Sequence, residues 1–550
     1  MHSTLAPALI LLPALLAPAC RQLEPQPFDV LIVNGLVVDG TGDPAYRADV
    51  GIAGDTVVAI GPLGGSAAER TIDAAGLVVC PGFIDVHTHV DEAFDEPGSG
   101  AVLNYLIQGV TTVRPGADGS SSHRVAEIRE RWERNGMGTN AALTVGFNVV
   151  RREVMGDDML RGPTPEELEA MRAAVREGLE AGAFGISLGL EYDGLNLYAT
   201  TEEVIAVTRP VAEYDGFYIA HVRDEAAHLV DAVRETVRVA EECGVRANVT
   251  HFKATGKSNW GLLREAVAVI QAARDRGLPV TADQYPFDQS WPVGPITELI
   301  DVPRDLQPLA GLRDGPRAEF VAALQAALRD PVARERLRAS TYEPREADPS
   351  FVARWGWQDF RIQVTHRNPH LLGRNLAELV EERGRDGFDV VADLILDEPD
   401  MLYAGGSQSP DDLRHALSQP WVMTSSDGSG FAPVGPDDPP VAAHPRSFAS
   451  QATLLQRFVR EEGLLTLEEA VRKLTALPAE LIGLPDRGLL AEGYRADVVV
   501  FDPAAVTAHA TWDDAYRYAT GVEHVLVNGR LAVEDGEYRE LRAGRVLLRR

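Results

Sequence analysis

Three cysteines in 550 residues are too few for a disulfide framework. Cys20 falls in an N-terminal leader, which leaves Cys80 and Cys243 as two lone thiols that read as packing residues. Basic side chains are also scarce: 52 Lys and Arg against 82 Asp and Glu give a net charge of −30. That deficit argues against nucleic acid or an anionic membrane as a partner, and solubility alone accounts for it. Apolar content is 45 %, and no long block of like charge occurs, which excludes a disordered chain. No apolar run is long enough to span a bilayer; Leu5–Ala19 is too short and is broken by Pro7 and Pro13.

That stretch ends in small residues before Cys20, so residues 1–20 read as a secretory signal, with Cys20 a candidate lipid anchor. The expectation is export to the bacterial envelope, periplasmic or lipid-anchored. The segment MHST lacks Lys and Arg and Pro18 sits in the cleavage box; the alternative is an unstructured leader on a cytoplasmic protein.

From Phe28 the texture is β: FDVLIVNGLVVDGTG, ADVGIAGDTVVAIGPL and TIDAAGLVVCPGFID alternate Val and Ile between Asn-Gly and Gly-Asp turns. The pattern returns in RADVVVFDP and HVLVNGRLAVEDGEY. One small β-sandwich assembled from residues 21–80 and 485–550 is expected. Residues 81–484 instead alternate apolar strands with amphipathic helices, as in TPEELEAMRAAVREGLEAG, with its Thr164 cap, Pro165 and Glu167. Such repetition suits a (β/α)₈ barrel or a doubly wound sheet, and the barrel is favoured because the notable polar residues end several different strands. Mixed Arg- and Pro-rich sequence over 292–360 reads as an inserted lid or subdomain.

Within PGFIDVHTHVD, His87 and His89 are two residues apart on a strand tip, so both imidazoles face one point. Imidazole is the commonest protein ligand for a zinc-like ion. His221 ends FYIAH and His251 ends RANVTH thirty residues on, one strand-helix-strand unit, which puts them on neighbouring strands at the same mouth. Asp427 closes PWVMTSSDG and adds a carboxylate there, although an Asp before Gly also forms turns.

These stretches, with GVTTV, GAFGISLGLEYDGLNLYATTEE, YIAHVRDE, VTHFKATGKSNWG, VTADQYPF, AHPRSF and GYRADVVVFDP, closely resemble the amidohydrolase superfamily and, within it, the D-aminoacylase or N-acyl-D-amino-acid deacylase group. The resemblance implies a β/α barrel beside a small β-sandwich, with one or two Zn²⁺ or other divalent ions at the barrel mouth. It implies that His87, His89 and Asp427 hold one ion and that His221 and His251 hold the other. Lys253, Tyr192 and Tyr285 fall where relatives line the substrate pocket, and Arg446 where they bind the substrate carboxylate, a task for which a guanidinium's forked donors suit. Asp118 stands where the best-described relatives carry a cysteine ligand. Two cations among neutral imidazoles need an anionic bridge; Glu191, at the end of the fourth strand, is the favoured bridge, with Asp118 its main rival and a single-ion site in which neither bridges the third alternative. Phe147 replaces a histidine common in relatives.

The implied activity is deacylation of N-acyl-D-amino acids by a metal-activated hydroxide, with Asp427 as general base and then acid. A hydantoinase-like cyclic amidase or a dipeptidase is the alternative, and a non-catalytic metal-stabilised binding protein a remote one. The expected partner is a small-molecule amide, with no integral membrane span.

Overall fold

In a computed structural model, the protein is described over residues 28–549 apart from 193, 291–292, 313–315, 344–349, 407, 432–442 and 513. The leader and Cys20 lie outside the described residues. Among the described residues, no helix is long and apolar enough to cross a membrane.

Eight parallel strands make the barrel: Phe83–Asp85, Val110–Val113, Asn140–Ala142 continued by Val145–Gly146, Gly185–Gly189, Phe217–His221, Arg246–Val249, Val280–Gln284 and Val422–Thr424. Closure comes from the last strand meeting the first, where Gly428–Ser429 pairs in parallel with Thr88–His89 and Asp427 N–H donates to His87 O at 2.9 Å. The strands are buried along their length, as expected when helices cover the outside and side chains fill the inside. The helix Pro165–Glu180 begins in the expected way: Thr164 accepts from Glu167 N–H while the Glu167 carboxylate accepts from Thr164 N–H.

Both chain ends contribute to one nine-stranded sheet. Its halves join where Val78–Pro81 pairs antiparallel with Val498–Phe501. Alternation divides the burial of the second of these strands: Val498 and Val500 enter the sheet's own core, whereas Val499 and Phe501 enter the core shared with the barrel. One strand leaves this arrangement. Val546–Leu547, expected in the β domain, pairs in parallel with Asn140–Ala142 of the barrel.

The insertion is larger than expected. A separate hydrophobic core runs from Ile296 to Tyr403 around a three-stranded sheet of Val293–Pro295, Leu402–Gly405 and Phe360–Val364. It therefore continues well past residue 360. Its later helices, Leu376–Arg383 and Gly387–Asp397, have the periodicity of barrel helices, and their burial in this separate core, with the antiparallel pairing of Phe360–Val364 and Leu402–Gly405, assigns them to the insertion.

Candidate metal centre

His87 and His89 follow Phe83–Asp85, Asp118 lies in the turn after Val110–Val113, His221 ends its strand, and His251 and Asp427 follow theirs, so all six gather at the C-terminal mouth. His87 Nε2 is 3.3 Å from Asp427 Oδ1 and 3.5 Å from Asp118 Oδ1. His89 Nε2 is 3.0 Å from Asp427 Oδ1 and 3.7 Å from Asp118 Oδ2. On the other side, Asp118 Oδ1 is 3.9 Å from His221 Nδ1 and 3.8 Å from His251 Nε2. Asp118 thus shares one donor set with His87, His89 and Asp427 and another with His221 and His251, each set within 4.8 Å.

Glu191, the expected bridge, does not stand between the two pairs. Its Oε2 meets the outer face of His221, 3.0 Å from Nε2. The turn carrying Asp118 occupies the space between: a Cβ built on Gly189 would meet Asp118 O at 2.5 Å, and Gly119 N–H donates to Ser187 Oγ at 3.1 Å. Asn148 pins Gly189 from both sides, accepting its N–H and donating to its carbonyl, each at 3.0 Å. With that turn packed over the fourth strand's end, Glu191 is pushed to the rim.

The donors fit a divalent cation. His87 Nδ1, His87 Nε2 and Asp118 Oδ1 are buried without a hydrogen-bond partner among the described residues, a costly arrangement for polar atoms. Imidazole nitrogens and carboxylate oxygens converging in this way suit zinc and its neighbours. Electrostatics agree. Burial lowers the His87 imidazole, but Asp118 and Asp427 outweigh it and lift the group to about 10. Burial would raise both carboxyls, yet Asp427 is held well below the usual range by Arg446 and His87, and Asp118 by His87 and His251. The cluster demands positive charge, which a metal ion supplies in place of protons. Left-handed backbone occurs here too, with positive φ at Asp118 (54°), His251 (30°) and Asp427 (50°).

Beside the donors, Arg446 Nη1 meets the second oxygen of Asp427, Oδ2, at 2.6 Å. Its guanidinium also lies 5.1 Å from the Tyr285 ring, and Lys253 Nζ 5.8 Å from the same ring. Tyr285 is buried and its hydroxyl has no hydrogen-bond partner among the described residues. Tyr192 is partly exposed, with its ring 4.4 Å from that of His221. Phe147 lies fully buried in the main core.

A model described as the amidohydrolase family matches residues 70–533. This chain belongs to the amidohydrolase family. It is 34 % identical to a D-aminoacylase of Alcaligenes xylosoxydans xylosoxydans, over 96 % of this chain and 99 % of that one. Among solved structures, it is 32 % identical to a D-aminoacylase with a binuclear metal centre, at a TM-score of 0.74, covering 95 % of this chain and 100 % of the other. It is 30 % identical to the N-acyl-D-glutamate deacylase of Bordetella bronchiseptica, solved with zinc and a phosphonate mimic of the tetrahedral intermediate, at a TM-score of 0.73 over 96 % and 100 %. A D-hydantoinase structure, 18 % identical at a TM-score of 0.55, shares the fold. The protein is a hydrolase of C–N bonds other than peptide bonds.

Three carboxylates of this amidohydrolase were not singled out by the sequence. Asp283 accepts from His251 N–H at 3.1 Å, Asn248 Nδ2 at 2.6 Å and Ser425 Oγ at 2.6 Å, tying three neighbouring strand ends together. Asp85 accepts from the N–H groups of His87 and Ser426 and from Gln451 Nε2, and burial raises its carboxyl to about 6. Glu225 pairs with both His251 and Lys253. Asp85 carried a usable signal, since it is two residues before His87 and shares its face. Asp283 and Glu225 carried none beyond being acids near strand ends.

Proposed function

We propose that this amidohydrolase removes the acyl group from N-acyl-D-amino acids. One observation carries the reading: Asp427 has one oxygen on the histidine donors and the other on the buried Arg446. In an N-acyl amino acid, the carboxylate and the amide nitrogen sit on the same carbon. The cation that grips the first must therefore adjoin the group that protonates the second. The acylated D-amino acids named for the relatives have that shape.

In this reading, His87, His89 and Asp427 would hold one divalent ion and His221 and His251 another, with Asp118 available to both donor sets. When bound, such ions, zinc being favoured by the Bordetella bronchiseptica relative, supply a readily ionised water and polarise the amide carbonyl. Asp427 takes the proton of the attacking water and returns it to the departing amine nitrogen. Arg446 orients the substrate carboxylate through paired N–H donors, with Lys253 and the unpartnered Tyr285 hydroxyl within reach of the same anion. Tyr192 closes the pocket on the His221 side.

The test is turnover by the metal-loaded protein of N-acetyl-D- and L-amino acids, with dipeptides and hydantoins alongside. The N-acetyl-D-amino acids should lead the hydantoins, which lack a free carboxylate, by about 100-fold or more in kcat/KM. Equal or faster hydantoin turnover would overturn the assignment.

A further inference from the structure

The two carboxylates on the outer side of the histidines have a job of their own. Glu225 Oε1 lies 2.7 Å from His251 Nδ1, and Glu191 Oε2 lies 3.0 Å from His221 Nε2. At 2.7 Å, two acceptors would repel, so Nδ1 of His251 carries a hydrogen and donates it to Glu225. Lys253 Nζ, 3.0 Å from that nitrogen, is satisfied instead by Glu225 Oε1 at 2.6 Å and His251 O at 3.3 Å. The same reasoning gives His221 a hydrogen on Nε2. Both imidazoles then turn an unprotonated nitrogen inward, His221 Nδ1 and His251 Nε2, only 2.9 Å apart. Two facing lone pairs at that distance call for a cation between or beside them.

His87, in the other half, differs. His87 Nδ1 is 3.9 Å from Asp283, its nearest carboxylate on that side, beyond hydrogen-bond range. We propose that Glu191 and Glu225 are positioning residues for the His221–His251 half of the centre alone, each fixing the tautomer and aim of one histidine and raising its basicity toward the ion. The inference rests on the metal-centre reading above and assigns Glu191 a role outside the bridge. It also makes Glu225 shared property: the carboxylate that aims His251 holds Lys253 in the pocket, so metal and substrate sites lean on one side chain.

Metal titration against a chromophoric chelator, with Zn²⁺ and separately with Co²⁺, tests this on wild type, Glu191→Gln and Glu225→Gln. Gln can still accept the N–H but loses the charge. The affinity of the ion held by His221 and His251 should fall about 10–100-fold in each variant, while that of the ion held by His87 and His89 stays within about twofold. The Co²⁺ visible spectrum of the weakened half should change with it. Glu191 is at the rim, so its variant reports even where the buried Glu225→Gln fails to fold. Two ions bound with unchanged affinities in Glu191→Gln would overturn the inference and spare the metal centre. Equal weakening of both ions there would also overturn it, because it would make Glu191 a bridge. A wild-type protein that takes up no ion would overturn the metal-centre reading and this inference with it.

Discussion

At Asp427, two demands meet on one side chain. One oxygen serves the histidines and the other is paired with Arg446, whose charge helps hold the carboxyl well below the usual range despite burial. Asp427→Asn should keep bound metal, measured by elemental analysis, yet lose about 10²–10⁴-fold in kcat. If Arg446 grips the substrate carboxylate as proposed, Arg446→Ala should cost about 10–100-fold in kcat/KM for carboxylate-bearing substrates. It should also move the acid limb of the pH profile upward. A base with a depressed pKa stays active as pH falls until that pKa is reached, and removing Arg446 raises it. A limb that does not move would show that Asp427 does not titrate as the base. Asp118→Ala should lower metal content in both halves, since Asp118 faces all four imidazoles. The histidines and Asp427 were legible from strand ends and spacing. The choice between Asp118 and Glu191 was not, because it depends on a turn with left-handed backbone at Asp118 that packs over Gly189.

Among the elements, the barrel helices and strands followed their periodicity, and the capped start of Pro165–Glu180 was readable from Thr164, Pro165 and Glu167. The insertion's far boundary was not, because helices of the same periodicity occur on either side of it. One carboxylate ties that unit together. Glu398 accepts from His366 N–H, Arg367 N–H, Thr365 Oγ1 and Asn368 Nδ2. Burial would raise its carboxyl, but these donors hold it down to about 2, against an ordinary 4.5. A depressed carboxyl contributes stability that is fully present above about 4.5 and is lost as pH falls toward about 2. The gap in unfolding midpoint between wild type and Glu398→Gln should therefore be constant near neutrality and narrow below about 4.5, read by thermal denaturation across pH.

At the scale of the whole molecule, a buried network locks the β domain to the barrel. Asp497 pairs with Arg487 and accepts from Asn140 Nδ2 at 3.2 Å and Asn528 N–H at 2.7 Å, while Asn528 Nδ2 donates to Asn140 Oδ1 at 2.7 Å. Asp497→Ala would leave the buried Arg487 guanidinium without its carboxylate, its Nη2 still donating to Asn528 Oδ1 at 2.8 Å, and should cost about 3–5 kcal/mol in denaturant unfolding. A loss below about 1 kcal/mol would mean that water satisfies Arg487 without its partner.

The amino-acid order alone determined which residues alternate, which helices are capped, and which histidines sit at strand tips, because those properties follow from local geometry with periods of two and 3.6 residues. Tertiary structure decided which acid lies between the histidine pairs, where the insertion ends, and that Val546–Leu547 adds to the barrel. Each of these depends on which distant segments touch, and closing a loop costs an entropy that depends only weakly on its length, so spacing along the chain does not reveal the partner.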